Sequence, residues 1–319
     1  MHALARTLLV AAALLGVPAA AQAPQVIRRT PGDSVANSYR VYAATGTPRA
    51  LLVLLPGWGD DVNAFEPSSP STPSTLPARL ATRGVVTIAA LPHPETLFET
   101  DAMVVRLDSM VAEVLQRYRI PRNRVAIGGF SAGGTGAVRY AQHCAQDRCR
   151  GASRVAAVFA VDPPLDWERV YRSADIIVRR NAPRSNIGEE RMLVNTIRGA
   201  MGGTPDQARS SYLRHSPVIA SAADGGNARH LAGTAIRIYT EPDVHWWMQE
   251  RNLDFHGMNS VDHAALINLL RVGGNTRAEL ITTTGKGFRP DGRRHPHSWS
   301  IVDEEELLRW LAPLLALEP

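Results

Sequence analysis

From Arg124 to Tyr140 a short apolar run, Val125-Ala126-Ile127, leads straight through Gly129-Phe130-Ser131-Ala132-Gly133 into a helical pattern. No other segment restricts the fold so strongly. A serine at the apex of a strand-to-helix turn sits in a strained backbone conformation, and small residues two places to either side let strand and helix approach closely. The turn also sets a direction, because the Ser131 hydroxyl emerges at the C-terminal edge of the strand, beside a helix N-terminus. Ser131 is therefore a candidate nucleophile.

The rest of the chain supplies the sheet that such a turn requires. Runs at 38–43, 50–55, 84–91, 124–128, 154–161, 236–239 and 278–283 read as strands, and helical patterns fall at 101–118, 261–271 and 307–317. Strand alternating with helix predicts a mostly parallel central sheet flanked by helices. The Ser/Thr/Pro-rich stretch 66–77 reads as loop. The 72 residues from Pro163 to Thr234 are too many for one crossover, and helical patterns at 167–180, 189–201 and 205–213 predict a helical cap inserted between strands 6 and 7. Asp303-Glu304-Glu305-Glu306 places acids in the first turn of the last helix, where the helix dipole favours them.

Composition narrows the class further. Of the 319 residues 45% are hydrophobic and 20% charged, a globular balance that excludes a disordered or fibrous chain. The 35 basic residues against 30 acidic ones give a net charge of +5, yet Lys286 is the single lysine and the arginine doublets are scattered. A nucleic-acid groove needs a continuous cationic stripe, so no nucleic-acid partner is expected. The insertion carries ten arginines against seven acids, which reads as a solvated face. His2 and Arg6 precede the apolar run Leu8 to Val17, and Ala19-x-Ala21 follows, the pattern of a secretory signal peptide at 1–21 cut before Gln22. The run is too short to span a bilayer, so no membrane span is expected after cleavage. Residues 22–319 then form a single exported domain, periplasmic or extracellular. In that oxidising setting Cys144 and Cys149 are expected to pair as a short local disulfide rather than join His143 at a metal.

A serine hydroxyl is a weak nucleophile until a base takes its proton. The base is expected between the final strand and the C-terminal helix, where only His295 and His297 occur, and His297 is preferred. The acid that orients it is expected after the penultimate strand, where Ile236-Arg237-Ile238-Tyr239 runs into Thr240-Glu241-Pro242-Asp243. Asp243 is preferred there, with Glu241 and Asp162 as the other candidates. Two backbone donors for an oxyanion are expected: the NH of Ala132, next to the nucleophile, and that of Trp58 in Pro56-Gly57-Trp58. Trp58, Trp246, Trp247 and Trp299 all fall in loops near the inferred site, where they either line a pocket or pack the core.

The order Ser131, Asp243, His297, each at the C-terminal end of a strand, resembles the α/β-hydrolase superfamily over nearly all the chain after the leader, and in particular secreted bacterial serine esterases. The resemblance implies that Ser131 is the nucleophile, Asp243 the acid, His297 the base, and Trp58 with Ala132 the oxyanion hole. The chain departs from many lipases in having Pro56-Gly57-Trp58-Gly59 where they have His-Gly-Gly-Gly, which argues against that branch. Ser-x-x-Lys, His-Glu-x-x-His, Gly-x-Gly-x-x-Gly and Gly-Lys-Ser/Thr motifs are absent, so metallopeptidase, dinucleotide and nucleotide readings lack their signatures and no cofactor is expected. Hydrolysis of a small-molecule carboxylic ester through an acyl-enzyme is the leading expectation. A serine peptidase or amidase of the same fold comes second, and a non-catalytic exported binding protein third.

Overall fold

A computed structural model of the protein describes residues 24–29, 37–183 and 185–317. The expected leader at 1–21 lies outside them. Eight strands form one sheet: β1 (Gln25–Arg28), β2 (Ser38–Tyr42), β3 (Ala50–Leu55), β4 (Val85–Leu91), β5 (Val125–Phe130), β6 (Val155–Val161), β7 (Ala235–Thr240) and β8 (Ala278–Thr282). Their order across the sheet is β1-β2-β4-β3-β5-β6-β7-β8. Strands β1 and β2 are antiparallel to their neighbours, and the pairings from β4 through β8 are parallel.

The central strands are near-continuous apolar runs because both of their faces are covered. Along β3, Leu51, Val53 and Leu55 enter one core while Leu52 and Leu54 enter the other, the two-residue period of a strand. The first core takes Leu107, Met110 and Val114 of α2 (Asp101–Tyr118), Val138 and Tyr140 of α3 (Ala132–Ala145), and Leu266 of α8 (Ser260–Val272). The second takes Leu76 and Leu80 of α1 (Leu76–Ala81) and Leu307 and Leu311 of α9 (Glu304–Leu314). Helix α1 opens inside the stretch expected to be loop, with a proline in its first turn, where a missing N–H costs nothing.

Between β6 and β7 lie α4 (Trp167–Arg180), α5 (Ile187–Met201), α6 (Arg209–His215) and a 3₁₀ turn, so the helices expected over 163–234 are present. They share a third apolar cluster built on Trp167, Tyr171, Ile197, Met201 and Tyr212. Asp262 of α8 ties this segment to the sheet layer, accepting from the Leu165 and Asp166 backbone N–H groups and from the Arg169 guanidinium. Helix α7 (Val244–Arg251), which follows β7, lacks a buried face. Cys144 and Cys149 form the expected disulfide at the end of α3. No described helix is long and apolar enough to cross a membrane.

Candidate active site

Ser131 closes β5 and opens α3 with φ 53° and ψ −124°, a conformation that non-glycine residues rarely adopt. The surroundings over-determine it. Its backbone N–H donates to the Val161 carbonyl at 2.9 Å, locking the apex to the end of β6. A Cβ placed on Gly133 would lie 2.0 Å from the Leu55 carbonyl oxygen, and one on Gly129 would lie 2.4 Å from the Gly133 carbonyl carbon. The two glycines are thus what lets β5, α3 and the end of β3 meet, as the pentapeptide predicts. Strain held in place this way presents the hydroxyl at a fixed point.

That point opens on a cavity of about 220 Å³ whose wall includes Ser131, Ala132, Trp58, His297 and Asp162. His297 lies in the loop between β8 and α9, its ring 4.7 Å from that of Phe130. Its Nδ1 donates to Asp162 Oδ2 at 2.6 Å. Asp162 is at the tip of β6, itself at positive φ, and its second oxygen accepts from Thr240 Oγ1 at 3.2 Å. Burial pushes its carboxyl up, but the hydrogen bond and charge of His297, followed by His263 and Thr240, outweigh that and hold it below the usual carboxylate range. His263 of α8 is fully buried behind it, with Nε2 donating to the Pro163 carbonyl at 2.8 Å.

The carboxylate against His297 is therefore Asp162, and the expectation of Asp243 is corrected. Asp243 caps α7, accepting from the Trp246 N–H at 3.0 Å, and pairs with Arg294 at 2.8 Å. Glu241 is equally committed: it accepts from Thr283 Oγ1 and from the Lys286 and Gly287 N–H groups, and it pairs with Arg294. Both carboxylates at the β7 tip thus anchor the loop that carries His297. Asp162 was visible in sequence as a carboxylate ending the apolar run Val158-Phe159-Ala160-Val161, but nothing there separated it from the β7 pair. His263, Thr240 and Phe130, which frame the His297–Asp162 contact, had no sequence signal.

His295 sits beside the site without joining it. Its ring packs against Trp246 and Trp247 at 4.7 and 5.7 Å, and its Nε2 takes the Arg251 guanidinium at 3.3 Å. Burial, then the neighbouring Arg289, His297 and Arg251, push its pKa down to about 3, so it stays neutral. An arginine only donates, so Nε2 of His295 is the acceptor and its proton is on Nδ1. Of the four tryptophans, Trp58 and Trp247 line the cavity and Trp299 is buried in the core.

No protein-family model and no curated protein matches the chain. Solved structures do. The protein is similar to a truncated carbohydrate esterase from gut microbiota, at 14% identity and a TM-score of 0.57 over 93% of this chain and 97% of that one. It is similar to an esterase of Thermogutta terrifontis in a butyrate-bound form, at 17% identity and a TM-score of 0.55 over 92% and 95%. It also matches an acylaminoacyl peptidase of Pyrococcus horikoshii, at 11% identity and a TM-score of 0.51 over 93% of this chain, which corresponds to 41% of that longer one. The protein has the α/β-hydrolase fold.

Proposed function

We propose that the protein is an exported serine hydrolase that cleaves carboxylic esters through an acyl-enzyme on Ser131. The observation that carries this reading is the 2.6 Å hydrogen bond from His297 Nδ1 to Asp162, in a cavity shared with a serine at φ 53°. With its Nδ1 proton held by a buried carboxylate, His297 keeps Nε2 free as the base. Ser131 Oγ attacks the ester carbonyl as Nε2 takes the hydroxyl proton. The carbon–oxygen bond to the alcohol then breaks, and the leaving oxygen receives that proton. Water repeats the sequence, adding to the acyl carbon while His297 accepts its proton, and the acid departs as Ser131 regains its hydrogen. The Ala132 and Trp58 N–H groups are assigned to the oxyanion, the first at the N-terminus of α3, where the helix dipole adds to the stabilisation.

The fold neighbours named as esterases support this chemistry, and the Cys144–Cys149 disulfide supports an oxidising compartment. The peptidase neighbour favours amide hydrolysis as the second reading. Turnover of p-nitrophenyl acetate, butyrate and octanoate beside aminoacyl p-nitroanilides, by wild type and Ser131→Ala, tests both. Ester turnover that vanishes in the variant is expected. Efficient anilide turnover moves the assignment to peptidase, and no Ser131-dependent turnover of either class refutes both.

A further inference from the structure

The cavity beside Ser131 is divided between apolar side chains and charges that are not paired with one another. Leu97, Val170, Leu193 and Met258 supply its apolar part. Arg169 also lines it, but that guanidinium is neutralised by Asp262. Four other charged side chains are arranged differently: Arg251 from the end of α7, Arg289 from the loop after β8, and Glu189 and Glu190 from the first turn of α5. Glu190 lies in the fields of Glu189, Arg169 and Arg251, and Arg289 in those of Asp60, Arg251, Asp291 and Glu189. Yet among the described residues none of the four forms an ion pair. Arg251 donates to the neutral His295 and Glu189 accepts from Asn186, while among the described residues neither Arg289 nor Glu190 has a side-chain hydrogen-bond partner. Burial, with Glu189 beside it, pushes the Glu190 carboxyl up to about 7, so near neutrality it both donates and accepts.

Such a wall selects a particular ligand chemistry. Charges of both signs line the cavity, so a charged ligand of either sign meets repulsion as well as attraction. Half-buried groups without a partner among the described residues, as Arg289 and Glu190 are, find one in the ligand or in water. A hydroxyl group serves both kinds, donating to a carboxylate and accepting from a guanidinium. Trp58 adds a surface for the ring that would carry those hydroxyls. Its indole is 43% exposed at the cavity although it is a large apolar group, and its Nε1 is fixed to the Glu95 carbonyl at 3.1 Å. An exposed aromatic face anchored in advance is a platform, not a packing residue.

We propose that the ester hydrolysed at Ser131 is a sugar ester, its polyhydroxylated ring lying on Trp58 and hydrogen-bonded by Arg251, Arg289, Glu189 and Glu190. This inference rests on the serine esterase reading and deepens it. A site built to hydrogen-bond hydroxyls discriminates strongly against an analogue lacking them, because its buried polar groups are then left unpaired.

The test holds the acyl group constant and varies the alcohol. Initial rates of acetate release are measured for methyl 6-O-acetyl glucoside and galactoside and for monoacetylated methyl xyloside. Cyclohexylmethyl acetate, the deoxygenated counterpart, and p-nitrophenyl acetate are measured beside them. At least one sugar acetate is expected to exceed cyclohexylmethyl acetate in kcat/KM by about 100-fold or more. In Arg289→Met and Glu190→Leu the ratio of sugar acetate to p-nitrophenyl acetate is expected to fall about tenfold, mainly through KM. Ser131-dependent turnover of p-nitrophenyl acetate with cyclohexylmethyl acetate preferred or equal, or an unchanged ratio in both variants, overturns the sugar proposal and leaves the esterase reading standing. Failure to hydrolyse every ester overturns both.

Discussion

Replacing Asp162 by Asn asks which carboxylate orients His297. The change keeps the side-chain volume and replaces one oxygen by NH₂. An Asn loses the charge that stabilises the imidazolium in either amide orientation, and the orientation that turns its NH₂ toward His297 Nδ1, 2.6 Å from the present Oδ2, adds a second effect. An NH₂ at that contact can only donate, which forces the imidazole into the tautomer with its proton on Nε2. That tautomer cannot accept the Ser131 proton. The expected loss is about 10⁴-fold in kcat, the size found when a triad aspartate is made an amide, or about 5.4 kcal/mol at 1.36 kcal/mol per decade. KM for a p-nitrophenyl ester should move little, because the oxyanion and acyl contacts are untouched. Asp243→Asn is the matched control: Asn also caps a helix, and Arg294 keeps its second partner Glu241. For that variant kcat should stay within about threefold of wild type and stability within about 1 kcal/mol. Steady-state kinetics on purified variants with matching far-UV circular dichroism decide the matter. Equal losses in the two variants, or near-normal turnover in Asp162→Asn, refute the assignment.

Three further outcomes are expected. Gly133→Ala puts a methyl group 2.0 Å from the Leu55 carbonyl, a backbone atom that cannot move aside, so the variant should lose at least about 3 kcal/mol in urea unfolding or fail to accumulate as soluble protein; wild-type stability contradicts the elbow geometry. The Cys144→Ser/Cys149→Ser double variant opens a loop of sequence separation 5 and should cost about 2 kcal/mol by loop entropy while leaving kcat unaltered, as thermal unfolding and ester turnover will show. His295 has its pKa lowered from 6.5 to about 3 by burial and nearby cations, so below pH 6.5 the unfolded chain takes up a proton that the folded one refuses. Stability attributable to this residue therefore falls as pH drops from about 6.5 toward 3, by about 1 kcal/mol per unit. Denaturant titrations at several pH values should show His295→Gln losing stability less steeply than wild type over that window, and parallel slopes contradict the buried neutral imidazole.

Much of the fold was legible because its signals are local. Helix α2 spans 101–118 as its apolar spacing predicts, and it ends where Arg119 turns left-handed. The strand interiors are apolar runs because helices cover both faces, and the turn at Ser131 carries its own glycines. Elements that no apolar pattern announces were missed. Strand β1 is a mostly exposed edge, α1 begins inside a Ser/Thr/Pro-rich loop, and α7 lacks a buried face. The acid at the site failed for another reason. Asp162, Glu241 and Asp243 all follow strands that end on the same edge of the sheet, and only tertiary contacts assign them their tasks. Arg294 and the N-terminus of α7 take the β7 pair, which leaves Asp162 for His297. Likewise the choice between His295 and His297 became visible only with Trp246, Trp247 and Arg251 packed around the former.

Covalent trapping tests the central claim most directly. The purified protein is treated with a p-nitrophenyl dialkyl phosphate, and the release of p-nitrophenol is followed together with the intact mass. One equivalent of p-nitrophenol, one dialkylphosphoryl adduct, its location on Ser131 by peptide mapping, and its loss in Ser131→Ala are the predicted result. A correctly folded protein that remains unlabelled, or one labelled equally in Ser131→Ala, contradicts the account.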